Sequence, residues 1–288
     1  MSEVCVFDLS TQSVRTVLRH SGHIEAPNWH PDGFLLVNMN NALFRVSLDA
    51  GTLEAVDTGP LRACNNDHGF SHDGKRLALS DKSESGLSRI FLLDWSEGPS
   101  SLRRVSPQDP SWFHGWAPNG ARIVYAAARG DSPRPPVAVF SCSAIDGSDE
   151  QRHSCESFAH ADGPEFSASG EWIWFNGERD GATKLWRVHA SDRSRLEQMT
   201  FGPTVDWFPH PSADGKHVLF LRYAAGTTGH PAFRDVTLAL MPQDGGAAVD
   251  LVRLHGGQGT INVPCWAPDS SAFAFVRHER RATSCASD

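Results

Sequence analysis

The sequence predicts an all-β chain, a six-bladed β-propeller with four antiparallel strands per blade, and three observations predict it. The first is a phrase: an aromatic residue, a small polar pair, an Asp-Gly turn and an apolar run. It reads Asn28-Trp29-His30-Pro31-Asp32-Gly33-Phe34-Leu35-Leu36-Val37 at its first occurrence. The second is its spacing. Six copies put the turn residue at 32, 73, 119, 169, 214 and 269, at intervals of 41, 46, 50, 45 and 55 residues. Units of about 40 to 50 residues holding several short strands are a propeller signature. The third lies at the ends, where the last copy supplies two strands, 261–266 and 272–277, and residues 4–9 and 14–18 supply two more before the first copy.

Each turn joins the first strand of a blade to the second, because glycine takes the positive φ of a tight hairpin at little steric cost. Later copies are Phe70-Ser71-His72-Asp73-Gly74, Trp116-Ala117-Pro118-Asn119-Gly120 and Phe166-Ser167-Ala168-Ser169-Gly170. Pro211-Ser212-Ala213-Asp214-Gly215 and Trp266-Ala267-Pro268-Asp269-Ser270 complete the set. An apolar run follows every turn. Third strands are read at 42–48, 89–93, 137–140, 184–188 and 236–240, and the segment 52–56 reads as a fourth.

The ends imply closure. Residues 1–20 complete the last blade, so that residues 1–278 form one propeller and no seam exposes a strand edge. The polar stretch 279–288 reads as a tail that frays.

Composition sets the outer bounds. Apolar residues make up 40% of the 288 and aromatics 9%, which suits a packed core. A net charge of −8 argues against nucleic acid and anionic membrane surfaces as partners. No apolar run reaches the roughly 20 residues of a membrane helix. The start, Met1-Ser2-Glu3-Val4-Cys5-Val6-Phe7, has no basic region and no long apolar segment, so the expected location is cytoplasmic. Six scattered cysteines without CxxC spacing fit reduced thiols. Phosphate loop, dinucleotide fingerprint and nucleophile elbow are all missing, so no nucleotide or organic cofactor is expected.

The aromatic-Ser-Pro-Asp-Gly phrase resembles the repeat of TolB-like six-bladed propellers over nearly the whole chain, and distantly the propellers of oligogalacturonate lyases. The resemblance implies the fold. It leaves two functions open, a scaffold for protein partners and a carbohydrate lyase. Two departures from TolB itself stand out: there is no export signal and no extra N-terminal domain.

Strand order decides where chemistry can sit. The Asp-Gly turns occupy one face of the disc, so the loops entering the first strands share the opposite face, around the channel mouth. Those loops carry Glu25 and Asn28, the run Asn65-Asn66-Asp67-His68, then Trp112 and His114. His160, Asp162 and Glu165 follow, with Asp206, Trp207 and His210, and finally Gln258 and Asn262. Five residues before the turn, four blades carry Pro27, Pro164, Pro209 and Pro264, where the other two carry His68 and His114.

Imidazole and carboxylate in one register are the ligands a divalent ion such as Mn, Ca or Zn prefers, which makes His68, His160 and Glu165 the expected metal set. They are also the groups of general acid–base catalysis. In the enzyme reading, a lyase on an acidic or oligomeric sugar, His114 or His210 is the base and Arg234 neutralises the substrate carboxylate, because the developing enolate is doubly charged. Substrate contacts are then expected from Glu25, Asn66, Trp112, Asp162, Trp207, His230, Gln258 and Asn262. His230 and Arg234 belong to the longest loop between second and third strands, 223–235. The bland reading is that these polar residues merely hydrate a wet channel mouth. The competing functional reading is a non-catalytic propeller binding a protein or small ligand over the same face.

Overall fold

The computed structural model describes residues 1–280, so the expected tail lies, from residue 281 on, outside the described residues. Six antiparallel sheets form a six-bladed propeller. Blade 1 consists of Ile24–His30, Phe34–Met39, Ala42–Ser47 and Leu53–Ala55, ordered from the axis outward. Blades 2 to 5 repeat this order, with innermost strands Cys64–Phe70, Ser111–Trp116, His160–Phe166 and Val205–Pro211.

The turn chemistry acts as the sequence implies. Gly33, Gly74, Gly120, Gly170 and Gly215 all take positive φ, between 66° and 80°, and Ser270 takes 61° in the copy that lacks glycine. The aromatic opening the phrase has a further role. Trp116 Nε1 donates to the Gly69 carbonyl at 2.9 Å, and Trp266 Nε1 to the His210 carbonyl at 2.8 Å. Each indole thus ties its blade to the inner strand of the preceding one.

The last blade is built from both ends. Ser2–Asp8 pairs with Ser13–His20 on one side and with Ala272–His278 on the other. The expected innermost strand at 261–266 is not regular. It makes one bridge, Trp266 to Phe273, and two further backbone bonds, from Ala274 N to the Cys265 carbonyl and from Val276 N to the Thr260 carbonyl. Pro264 within it has no N–H to give, and a proline interrupts a ladder.

Apolar packing lies between blades rather than at one centre. Phe113, Ile123 and Tyr125 of blade 3 pack on Ile90 and Leu92 of blade 2. The closing blade is held on both faces: Val4, Val6 and Val276 meet Ile24 and Leu35 of blade 1, while Phe7, Phe273 and Phe275 meet Leu219 and Leu221 of blade 5. A strand pair buried on both faces cannot peel away without exposing several large side chains, each worth roughly 1.5–3 kcal/mol.

Candidate functional site at the channel mouth

A backbone irregularity repeated around the axis builds the site. Every inner strand of blades 1 to 5 breaks register: between Glu25 and Asn28, Cys64 and His68, Phe113 and Gly115, Asp162 and Glu165, and Trp207 and His210. In blades 1, 4 and 5 the break holds a residue at positive φ followed by proline: Ala26 (56°), Gly163 (60°) and Phe208 (53°) precede Pro27, Pro164 and Pro209. Proline is at home in a bulge, where no ladder bond is required of it. Gly163 is needed for space as well, since a Cβ there would stand 2.6 Å from Asn176 Oδ1.

The bulge separates two layers. Residues before it face the mouth and residues after it stitch blades together. In the lower layer Asn28 donates to the Pro264 carbonyl (2.7 Å) and accepts from Phe70 N (2.9 Å), linking blades 6, 1 and 2. His210 Nδ1 lies 2.6 Å from Glu165 Oε2 and its Nε2 faces the Ile261 carbonyl, linking blades 4, 5 and 6. His68 is wholly buried; its Nε2 lies 3.4 Å from the Leu36 carbonyl and its Nδ1 has no partner.

The upper layer lines a cavity of about 300 Å³. Its centre is Asp162. His114 Nε2 lies 3.0 Å from Asp162 Oδ1, and His160 Nε2 and His230 Nε2 lie 3.5 and 3.9 Å from Oδ2. Blade 2 adds Asn65, Asn66 and Asp67, blade 3 adds Trp112, blade 5 adds Phe208 and blade 6 adds Gln258 and Asn262. Glu25 joins through its bond from Asn66 Nδ2 (3.2 Å), and Trp207 backs the wall against the His230 ring at 4.4 Å.

Electrostatics follow from this packing. Burial pulls Asp162 upward, but the bonds and charges of His114 and His160 outweigh it and hold the carboxyl well below its usual range. Burial likewise works against His114 and His160, yet Asp162 raises both above the ordinary imidazole value. For His230 burial wins and lowers it. Asp67 is pushed up to about 7 by burial, with His114 opposing and Asp162 reinforcing. The mouth therefore sets a carboxyl pushed up to about 7 beside imidazoles raised above their ordinary value, the residue types of general acid–base chemistry.

Several sequence expectations need correction. His114 is in the mouth, but His210 lies in the stitching layer and Arg234 lines a different cavity, beside Met1 and His278. The proposed base and the proposed carboxylate clamp therefore do not converge. The expected metal set is dispersed too: the His68 ring lies against Leu36, His160 meets Asp162 and Glu165 is taken by His210. Among the described residues no three His, Cys, Asp or Glu side chains are placed to hold a metal ion. These residues do not fit the ion. Asn66, Trp112, Asp162, His230, Gln258 and Asn262 do line the mouth as expected. Asp67 and Phe208 were not singled out as contacts; Asp67 stood in the polar run beside Asn66, and Phe208 carried no signal beyond its place before Pro209.

No protein-family model matches the chain. An uncharacterized protein of Agrobacterium fabrum is 41% identical over 280 residues, covering 96% of this chain and 92% of that one. A solved structure from Agrobacterium tumefaciens, provisionally named TolB, is 40% identical with a TM-score of 0.91, covering 97% and 99% of the two chains. The chain belongs to the TolB-like propeller family. Like other members, this TolB-like propeller shares its fold with proteins of low identity. TolB of Acinetobacter baumannii superimposes with a TM-score of 0.65 at 19% identity, over 89% of this chain and 64% of that one. An oligogalacturonate lyase in complex with manganese does so at 0.57 and 12%, over 87% and 72%. At such identities the likeness concerns architecture alone.

Proposed function

We propose that this TolB-like propeller is a binding module that takes a polar segment of a protein partner into the channel mouth. The carrying observation is the set of carboxamides there: Asn65, Asn66, Gln258 and Asn262, from two blades on either side of Asp162. A carboxamide offers both donor and acceptor, which matches the donor and acceptor of a peptide group. Trp112 and Phe208 add flat apolar surface, and among the described residues no Lys or Arg lines the cavity to clamp a uronate. The kinship with TolB-like propellers supports the same reading.

A second reading keeps the enzyme. It rests on Asp67, pushed up to about 7, acting beside His114 as an acid–base pair on a sugar or other polyol. One paired experiment separates the two. An array of extended polar peptides is screened, and its binders are measured by calorimetry on the parent and on an Asn66→Ala/Asn262→Ala variant. Uronate oligosaccharides are screened in parallel for unsaturated products. Peptide binding lost in the variant supports the module. Turnover lost in His114→Ala, with no peptide bound, overturns it in favour of the enzyme.

A further inference from the structure

A second cavity, larger than the channel mouth, lies apart from it. It is a hollow of about 760 Å³ on the closure seam, bounded by the N-terminus, the residues leading into blade 1, the end of the long loop of blade 5 and the end of the closing strand. We propose that it is a second ligand site, for a small molecule carrying a planar ring and one anionic group.

The ring is argued from an aromatic triangle. His23, Phe233 and His278 stand with centroids 5.0, 5.0 and 4.9 Å apart. His278 is buried and anchored by Ser2 Oγ at 3.1 Å. Phe233, by contrast, is 50% exposed, and its backbone sits at φ 56°. A bulky residue in the left-handed region is an outlier that costs free energy, and a half-exposed phenyl recovers only part of it by burial. The fold holds it there firmly. The preceding Pro231 carbonyl accepts from Tyr223 Oη (3.1 Å), and Gly257 packs so closely under Pro231 and Ala232 that any Cβ would collide with them. An aromatic ring presented at such cost and fixed so rigidly suits stacking on another ring.

The anionic group is argued from charge. Arg234 follows Phe233, is exposed, and has no ion-pair partner among the described residues. The nearby carboxylate of Asp235 is already used by Arg280 (2.9 Å) and His255 (3.2 Å), and Glu279 faces the N-terminal ammonium at 3.9 Å. Of the two guanidiniums in the lining, Arg280 is taken by Asp235, which leaves Arg234 as the one without an anionic partner among the described residues. A guanidinium with its fork unoccupied takes a carboxylate or phosphate bidentately.

Indole-3-carboxylate and adenosine 5′-monophosphate are suitable probes, since they share ring and anion but differ in the anion's source. Calorimetry should show one or both binding, with indole and adenosine weaker by about tenfold or more, the value of a charge-assisted contact. Arg234→Ala should weaken the charged probe by about tenfold and leave its uncharged analogue unchanged. Phe233→Gly keeps the left-handed backbone while removing the ring, so it should fold as well as the parent and lose both. Asp162→Asn, in the channel mouth and not in the seam lining, should leave the affinity for both probes unchanged. The proposal is overturned if neither probe binds at millimolar concentration, if binding survives both seam variants, or if Asp162→Asn abolishes it.

Discussion

Asp162 Oδ1 stands 3.0 Å from His114 Nε2, across the boundary between the fourth blade and the third. This one carboxylate organises the mouth. Its second oxygen faces His160 at 3.5 Å, and all three groups shift as the contact requires, the acid down and the two imidazoles up.

Replacing Asp162 by Asn should therefore move His114 and His160 together. Both raised imidazoles lose the charge that chiefly raises them, leaving burial opposed only by Asp67 and the Asn262 backbone at His114 and by Glu178 at His160. Followed by the Cε1–H resonances, each should titrate at lower pH than in the parent. An imidazole pair that titrates as before would mean that Asp162 does not set the charge of the mouth.

Acid should destabilise the propeller through histidines outside the mouth. His68, His153 and His278 are each pushed from 6.5 down to about 4, burial being the main cause. A group whose folded value is depressed keeps its full contribution above the unfolded value. It loses it as pH falls from about 6.5 towards 4, because the unfolded chain binds the proton first. His114 and His160 act in the opposite sense, adding stability below 6.5 that fades as pH rises through their raised values. With His30 and, within the mouth, His230 also lowered by burial, five depressed histidines outweigh the opposed shifts of His114, His160 and the raised Asp67. The urea midpoint should fall between pH 6.5 and 5, and His153→Gln should flatten that fall. A midpoint that rises towards pH 5 would contradict this balance.

His210 and His114 should part company when each is changed to alanine. Removing His210 leaves the Glu165 carboxyl, 7% exposed, without its partner, and leaves the Ile261 carbonyl without a donor. Breaking a buried pair in this way costs about 3–5 kcal/mol. His114→Ala leaves Asp162 with His160 and access to the cavity, so its cost should be nearer 1–2 kcal/mol by the usual range for a lost bond to a charged group, about 1.5–3, less what water recovers. Urea denaturation of the two variants gives the comparison. Equal losses would place both histidines in one layer.

The fold was legible because turn chemistry is local. Gly33 and its counterparts need positive φ whatever surrounds them, and six such demands at blade spacing leave few alternatives. The mouth was half legible. Register around an axis can be read from the spacing to the turn, and strand order put His114, Asp162 and His160 on one face, though in three separate roles. It could not say which layer a residue joins. The bulge at Gly163 shifts the strand between Asp162 and Glu165, as those at Ala26 and Phe208 do in their own blades, so positions close in sequence serve the mouth and the blade seams separately. Arg234 was misplaced for a similar reason. The long loop crosses the rim, so His230 reaches Asp162 whereas Arg234, four residues on, opens onto the closure seam.

The closure itself rests on a polar clamp that the strand pattern did not reveal. Glu3, on the N-terminal strand, lies opposite Arg19 on one neighbour and Arg277 on the other. Its two oxygens take one guanidinium each, Oε1 from Arg19 and Oε2 from Arg277, both at 2.6 Å. Burial alone would raise the Glu3 carboxyl, but the two arginines together hold it below its usual value. The second contact joins residues 274 positions apart, so it ties the two ends of the chain directly. Glu3→Gln keeps the shape and removes the charge. With Arg19 largely exposed, it should cost about 1–2 kcal/mol rather than the full value of a buried pair. Because the folded carboxyl is depressed, the difference between parent and variant should be complete at neutral pH and vanish as pH falls through the Glu3 range, below about 4.5. Deleting residues 1–20 removes both outer strands of the last blade and bares the edge of Ala272–His278, so that protein should aggregate. Urea midpoints from pH 7 to 4, with size-exclusion profiles of the deletion, test both statements. A soluble monomeric deletion that melts like the parent would show that the ring does not need its clasp.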